Sequence, residues 1–242
     1  MKKLFTLILV LCMSSMGFAQ WGKKIKGNGK VVTIERSTSD YEAIAVSGWF
    51  DVELVEGAEG NITLKGEENL LEYIITEVKD GKLVIKPEKG VNLQPSSWKN
   101  GSIYVTIPVR EINAVSMSGS GDLVGKTVLK ASDFTTSMSG SGDLSLELDV
   151  QDLEVNVSGS GDMDLSGRAE NLEVQISGSG DVHAYGLVSD NVSAQVSGSA
   201  NIEVTANESL KARVSGSGDI SYRGNPTKID SKTSGSGDIS KG

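Results

Sequence analysis

The chain has 242 residues, with 32 acidic and 23 basic side chains, a formal net charge of −9 and a single cysteine. A negative surface repels phosphate backbones, which argues against nucleic acid as a partner. One cysteine excludes an intrachain disulfide, so packing must hold the fold together. The 29 glycines recur at fixed places between alternating segments, which is not the pattern of a disordered chain.

Residues 1–19 predict a cleaved secretory signal. Met1-Lys2-Lys3 is followed by an apolar stretch from Leu4 to Met13, and Gly17 and Ala19 supply the small residues that precede a cleavage site. This stretch and every later apolar segment are too short to span a membrane, so we predict no integral membrane segment. An alternative is a lipoprotein signal acylated on Cys12, which Leu11 disfavours. Cleavage near Ala19 predicts an extracytoplasmic protein, either periplasmic, secreted or on the cell surface.

Residues 20–113 predict a degenerate β region that caps the rest of the chain. Asp80-Gly81 is typical of a hairpin turn, which indicates antiparallel pairing. Residues 67–73 predict a short helical turn and residues 87–101 an irregular loop. Bulky Trp49 and Phe50 suit a cap over an open sheet edge. The candidate strands are Val31–Glu35, Asn61–Lys65, Ile74–Lys79, Leu83–Lys86 and Ile103–Ile107.

Residues 114–242 contain a repeat that decides the fold. The motif Ser-Gly-Ser-Gly-Asp recurs every 18 to 21 residues, starting at Ser118, Ser139, Ser158, Ser177, Ser215 and Ser234, with the variant Ser197-Gly-Ser-Ala-Asn201. Each motif lies between two runs in which apolar and polar residues alternate, which is typical of half-buried strands. A single repeat cannot bury its own apolar side chains, so neighbouring repeats must stack.

Two architectures accommodate this repeat. In a parallel β-helix each repeat forms one coil, and like residues lie over like at about 4.8 Å. In a meander each repeat forms a hairpin, which would not require nearly identical turns. The sequence therefore favours an all-β, right-handed parallel β-solenoid, continuous with the partly antiparallel β cap region that precedes it.

The motif turns, the phrase Val46-Ser-Gly-Trp-Phe-Asp-Val-Glu-Leu54 and the export signal together resemble one bacterial family. It is the family described as putative auto-transporter adhesin, head GIN domain, which is common in Bacteroidetes. The resemblance extends from about Glu35 to the end of the chain. It implies a β-helical, extracytoplasmic protein without an established biochemical activity, and it brings no catalytic residues to carry over.

The repeat stacks one acidic residue per coil into a column. Neighbouring carboxylates about 4.8 Å apart repel by about 1 kcal/mol in water, so something must offset the repulsion. One interpretation is calcium held between coils; no other cofactor is predicted. The favoured one is turn chemistry, in which the side chains accept local backbone N–H groups, since Asn201 keeps that bond without the charge. The column is Asp122, Asp143, Asp162, Asp181, Asp219 and Asp238.

Three further side chains are candidate binding residues. Val182 and Ala184 take inward positions in their strand, so His183 and Tyr185 should point to solvent. Trp98, in the predicted loop, could stack on a sugar. His183 is the only histidine, and no cysteine or suitably placed serine accompanies it, so a catalytic triad cannot be assembled.

The outward residues of the strand before each turn form a second candidate surface. Its acidic and basic ends could hold a glycan or a surface protein; the alternative is a solvated face. The residues are Glu154, Asn156, Glu173, Gln175, Gln195, Lys211, Arg213 and Lys232.

These features predict a non-enzymatic binding, adhesion or scaffold module of the cell surface or periplasm. The alternative is a polysaccharide lyase or hydrolase on a β-helix, which requires paired acids or a calcium site in one groove. The uncovered edge of the last repeat also predicts self-association through that end.

Overall fold

A computed structural model describes residues 22–97 and 102–242. The predicted signal of residues 1–19, Cys12 and the candidate binding residue Trp98 lie outside these ranges. Within them, none of the helical structure has the length and apolar character needed to cross a membrane.

The described residues from Gly22 to Val109 form nine short strands and one helical turn. Strands are expected here because β-branched residues alternate with polar ones over four to seven positions. The elements are β1 (Lys23–Lys26), β2 (Val31–Ser37), β3 (Ala43–Gly48), β4 (Asp51–Glu56), β5 (Asn61–Glu67), α1 (Glu68–Leu71), β6 (Ile74–Lys79), β7 (Lys82–Pro87), β8 (Val91–Gln94) and β9 (Tyr104–Val109).

The repeats form a parallel β-solenoid, as predicted. Every strand pair from β10 onward is parallel, and like residues are in register, for example Ser118 with Ser139 and Gly119 with Gly140. The meander of hairpins is thereby excluded. The strands are β10 (Ala114–Gly119), β11 (Leu123–Gly140), β12 (Leu144–Gly159), β13 (Met163–Gly178), β14 (Val182–Gly198), β15 (Ile202–Gly216), β16 (Ile220–Arg223), β17 (Lys228–Gly235) and β18 (Ile239–Lys241).

The degenerate phrase Val46–Leu54 is a coil of the same solenoid. β3 pairs in parallel with β10, which places Ser47 beside Ser118 and Gly48 beside Gly119. β4 likewise pairs with the start of β11. Phe50 replaces a motif residue and is fully buried, and Trp49 packs against it with ring centroids 5.8 Å apart. The parallel sheet thus continues N-terminally past residue 114.

The cap beyond this coil mixes parallel and antiparallel pairs. β7 and β9 pair in parallel with β3 and β4, while β6, β5 and β2 add antiparallel strands. The predicted Asp80-Gly81 hairpin joins β6 to β7, with positive φ at both residues. The predicted helical turn is α1, and the Arg36 guanidinium donates to the carbonyl oxygens of Leu71 and Ile74 at its end.

The irregular loop predicted for residues 87–101 is wrong in part, because β8 forms inside it and pairs in parallel with β1. Leu93 of β8 is buried. The strand is only four residues long and follows Gly90, which has a φ of 80°. Its alternation is therefore too short to stand out from the surrounding glycines and prolines.

Buried Glu67 fixes the segments that flank β1 and β8. Its carboxylate accepts the backbone N–H of Ser96 at 2.7 Å and that of Gly29. Burial raises the pKa of Glu67, but these hydrogen bonds outweigh burial and the pKa is lowered overall.

The core of the solenoid consists of inward columns of aliphatic side chains. One column runs through Val115, Thr136, Val155, Val174, Ala194 and Ala212, and all of these are buried. Burying an aliphatic side chain of valine size stabilises the fold by about 1.5–3 kcal/mol. Since the inward residues take alternate positions, the outward residues of each strand form equally regular columns on the surface.

Candidate ligand-binding face

The strand that precedes each motif turn presents four outward columns, which together we call the polar face. The columns follow from the register of the parallel pairs. The corner column is Asp133, Asp152, Asn171, Asn191, Ser209 and Lys228. The charged column is Thr135, Glu154, Glu173, Ser193, Lys211 and Asp230. The amide column is Ser116, Ser137, Asn156, Gln175, Gln195, Arg213 and Lys232, and the serine column is Ser118, Ser139, Ser158, Ser177, Ser197, Ser215 and Ser234.

A shallow groove of about 440 Å³ runs between the amide and serine columns, and we call it the neutral groove. Its polar lining is hydroxyl and amide groups from residues such as Ser137, Asn156, Gln175 and Gln195. No charged side chain lines it among the described residues. The groove can therefore exchange hydrogen bonds with a partner without burying a charge.

A second groove of about 510 Å³ lies beside it, between the corner and charged columns, and we call it the charged groove. Four acidic side chains line one part: Asp133, Asp152, Glu154 and Glu173. Lys211 lines the other end. The acidic and basic ends predicted from the sequence thus share one groove.

Side-chain hydrogen bonds hold these columns in place. Asn156 Nδ2 donates to Glu154 Oε1 at 2.8 Å, and Gln175 Nε2 donates to Glu173 Oε1 at 2.9 Å. These bonds run along the strand within one coil, join the charged column to the amide column, and orient both carboxylates. The face is therefore ordered before any partner arrives, which reduces the entropy cost of binding.

The corner column forms a ladder along the solenoid axis, and sequence reasoning missed it. Asn171 Nδ2 donates to Asp152 Oδ1 at 2.8 Å, Asn191 Nδ2 to Asn171 Oδ1 at 3.1 Å, and Ser209 Oγ to Asn191 Oδ1 at 2.7 Å. A signal was available: Asp152, Asn171 and Asn191 each directly precede an inward aliphatic residue at the same place in the repeat.

The basic end of the face carries one acidic side chain, Asp230. Its carboxylate forms an ion pair with Arg213, which also donates to the Asp230 carbonyl oxygen at 2.8 Å. The hydrogen bond and charge of Arg213 lower the pKa of Asp230. Lys211, Lys228 and Lys232 remain exposed beside this pair.

The aspartate column lies on the other side of the motif turn and bonds from coil to coil. Asp143 N donates to Asp122 Oδ1 at 3.2 Å, Asp162 N to Asp143 Oδ1 at 3.1 Å and Asp181 N to Asp162 Oδ1 at 2.9 Å. We expected each side chain to accept an N–H of its own turn, but the donor belongs to the following coil.

Asn201 and the later aspartates continue the same ladder. Asn201 N donates to Asp181 Oδ1, Asp219 N to Asn201 Oδ1 and Asp238 N to Asp219 Oδ1. The described residues contain no group of three or more histidine, cysteine, aspartate or glutamate side chains arranged to hold a metal ion. Calcium binding by this column stays a prediction.

His183 and Tyr185 lie together on the strand that follows the turn, away from the polar face. His183 Nδ1 is 3.1 Å from Glu203 Oε2 in the next coil, and Asp164 precedes it in the same column. Burial lowers the pKa of His183, but the hydrogen bond and charge of Glu203, with Asp164, raise it overall. The Arg223 guanidinium lies over the Tyr185 ring at 3.9 Å. Both candidate binding residues are thus engaged by neighbouring side chains.

Residues 40–226 match the family described as putative auto-transporter adhesin, head GIN domain. The chain belongs to this family. The resemblance drawn from the motif turns is therefore confirmed. No curated protein matches the sequence.

Several solved structures share the fold of this family member. A putative lipid-binding protein from Parabacteroides distasonis is 26% identical, with a TM-score of 0.72 over 91% of this chain and 100% of that chain. A putative adhesin from Bacteroides fragilis is 25% identical, with a TM-score of 0.78 over 90% and 99%. A putative adhesin from Parabacteroides merdae, at 22% identity and a TM-score of 0.74 over 91% and 99%, supports the fold alone.

Proposed function

We propose that this protein is an exported, non-enzymatic binding module of the adhesin type and that its partner contacts the polar face. The proposal rests on one observation: two open grooves, one neutral and one charged, lie side by side on a single ordered sheet face. Membership of an adhesin family and the adhesin-like relatives support both the binding role and an extracytoplasmic location.

The partner class we propose is a glycan or a surface protein rather than a lipid. The polar groups that line the neutral groove are hydroxyls and amides, and sugars offer matching donors and acceptors. The large hydrophobic side chains that are exposed in the described ranges are Val31, Tyr104, Val128, Val188 and Ile229, and they lie on five strands of which no two are paired. A lipid-binding surface requires a contiguous apolar patch.

The alternative of a polysaccharide lyase or hydrolase has less support. Glu154 and Glu173 are neighbours in one column, as paired catalytic acids are. Each accepts the same kind of hydrogen bond from an amide two residues along, and both are exposed. A hydrolase requires one acid to be protonated and the other ionised, and these surroundings do not distinguish the two.

A glycan array probed with the labelled protein tests the proposal. We expect capture on a subset of glycans with no change in their chain length. The matched variants are Gln175→Ala with Gln195→Ala in the neutral groove, and Glu147→Ala with Asp149→Ala on the strand that follows the turn. Loss of capture in the first pair alone supports the polar face.

Shortened or unsaturated glycan products would replace the binding role with catalysis. Equal loss of capture in both variant pairs would move the contact away from the polar face. An array without signal, followed by capture of a surface protein that the first pair abolishes, would keep the face and change the partner class.

A further inference from the structure

Along the solenoid axis, the charges of the polar face change from acidic to basic. The face is therefore complementary to a second copy of itself that runs in the opposite direction. We number the coils from the one that holds Ser118, so that Ser139 lies in coil 2 and Ser234 in coil 7. Acidic side chains lie in coils 2 to 4, uncharged ones in coil 5, and lysines in coils 6 and 7. We propose that the partner of the polar face is a second copy of this chain, packed antiparallel through the charged groove. This inference rests on the proposed function, because it names the partner of the same face.

The register of the coils gives the contact in detail. Consider a twofold axis in the plane of the face, parallel to the strands and close to coil 5. It brings Lys211 of coil 6 to a place between coils 3 and 4 of the partner, which hold Glu154 and Glu173 in the same column. Each lysine then lies opposite two acids, and the twofold repeats this contact at the other end.

The corner column gives the same axis independently. Lys228 of coil 7 is carried to a place between coils 2 and 3, which hold Asp133 and Asp152. The charged column and the corner column, which contain different residues, thus give the same position for the twofold axis. The axis passes between the coils of Gln175 and Gln195, where neutral amides meet neutral amides. Asp230, the acidic residue at the basic end, is already paired with Arg213.

The size of the face indicates how strong this contact is. With this axis the two faces overlap from between coils 2 and 3 to coil 7. About four and a half rises of about 4.8 Å along the axis and six residues of about 3.3 Å along the strand give a contact of roughly 22 by 20 Å on each copy. This area is in the range of weak, transient protein interfaces. The pairing is therefore weak in solution and gains strength where many copies stand on opposing surfaces. Contact between copies on two cells would be homophilic adhesion.

Charge exchange tests this pairing. Sedimentation velocity of the wild-type protein over a hundredfold concentration range should show the weight-average mass rising from monomer toward dimer. Glu154→Lys with Glu173→Lys makes the charged column basic at both ends, and Lys211→Glu makes the same column acidic at both ends. Each variant alone should remain monomeric at concentrations at which the wild type dimerises. An equimolar mixture, in which acids and lysines again face each other at both ends, should restore a Kd close to that of the wild-type dimer.

The matched control is Glu147→Lys with Asp149→Lys on the strand that follows the turn, which changes the net charge by the same amount as Glu154→Lys with Glu173→Lys. It should associate like the wild type, and circular dichroism should show every variant folded. A wild type that is monomeric throughout overturns the inference, as does association that the face variants leave unchanged, which would point to the C-terminal coil instead. A mixture of the two variants that stays monomeric also overturns it.

The two proposals fail separately. If the wild-type protein stays monomeric but the Gln175 and Gln195 variants still abolish capture of a glycan, the homophilic contact is wrong and the binding face stands. If association follows the charge exchange while the glycan array is empty, the homophilic contact stands and the glycan is excluded as the partner.

Discussion

The backbone N–H of Asp181 donates to Oδ1 of Asp162, 2.9 Å away in the preceding coil. The Asp162 carboxylate therefore continues the hydrogen bonding between coils at the turn, where the regular pairing of the strands is interrupted. Asp181 Oδ1 in turn accepts the backbone N–H of Asn201, 2.7 Å away in the following coil. The aspartates within the column are thus tied to the coils before and after them, which explains how a column of like charges remains stacked.

Two substitutions of Asp162 distinguish the role of its acceptor oxygen from the role of its charge. Asp162→Ala removes the partner of the Asp181 N–H and should lower the free energy of unfolding by about 1 kcal/mol. Asp162→Asn keeps an acceptor oxygen and removes one repelling charge, as Asn201 does naturally, so its stability should equal or exceed that of the wild type. Chemical denaturation of the three proteins measures both differences. An asparagine variant as unstable as the alanine variant would show that the charge itself is required.

Chelation should leave the melting temperature unchanged. One carboxylate oxygen of Asp122, Asp143, Asp162, Asp181 and Asp219 accepts a backbone N–H, whereas calcium requires six to eight oxygen ligands. Differential scanning calorimetry with EDTA and with millimolar calcium tests this expectation. A higher melting temperature in calcium would revive the calcium site, because a ligand that binds the folded state stabilises it.

The first glycine of each motif turn packs so closely against the preceding coil that no side chain fits there. Gly140 has a φ of 141°, and a Cβ added there would lie 2.0 Å from the carbonyl oxygen of Gly119. Gly140→Ala should therefore destabilise the protein by several kcal/mol. Gly186→Ala is the control, because its nearest contact would be 3.3 Å, to a side-chain carbon of Ser166. Equal melting temperatures for the two variants would contradict this account.

The fold was accessible from the sequence because the repeat imposes the same register on every coil. Alternation shows which residues face inward, and the constant spacing of the turns shows that Ser118 lies beside Ser139. The phrase around Trp49 and Phe50 could be assigned to the same plan because Ser47-Gly48 kept its place. β8 was missed because four residues between glycine and proline carry too little periodicity.

The candidate site was only partly accessible, because the sequence shows columns but not the bonds between them. The outward residues from Glu154 to Lys232 were predicted, yet their division into two grooves depends on side-chain orientation. The ladder from Asp152 through Asn171 to Asn191 depends on contacts between coils about 4.8 Å apart. Nothing in the alternation of a single strand indicates such contacts.

Thr136 is a polar residue in an inward column of valines and alanines. Its side chain is fully buried, and its hydroxyl has no hydrogen-bond partner among the described residues. Thr136→Val keeps the shape and removes the unpaired hydroxyl, so it should raise the free energy of unfolding by about 1–2 kcal/mol. Thr135→Val, on the adjacent outward position, should give no comparable gain. Urea denaturation of both variants checks the difference, and a less stable Thr136→Val protein would indicate that the hydroxyl is satisfied.

His183 should make stability depend on pH above the ordinary histidine pKa. Its charged form interacts with Glu203 and Asp164 in the folded state, so its folded pKa is raised above the unfolded value of about 6.5. The stabilisation is complete below the unfolded pKa and is lost as the pH rises through the folded pKa. His183→Gln should therefore lower the melting temperature at about pH 5.5 and have little effect at about pH 8.5. The effect should be modest because both side chains are partly exposed. Glu203→Gln should remove most of the same pH dependence, and an unchanged pH profile in both variants would show that the pair does not contribute.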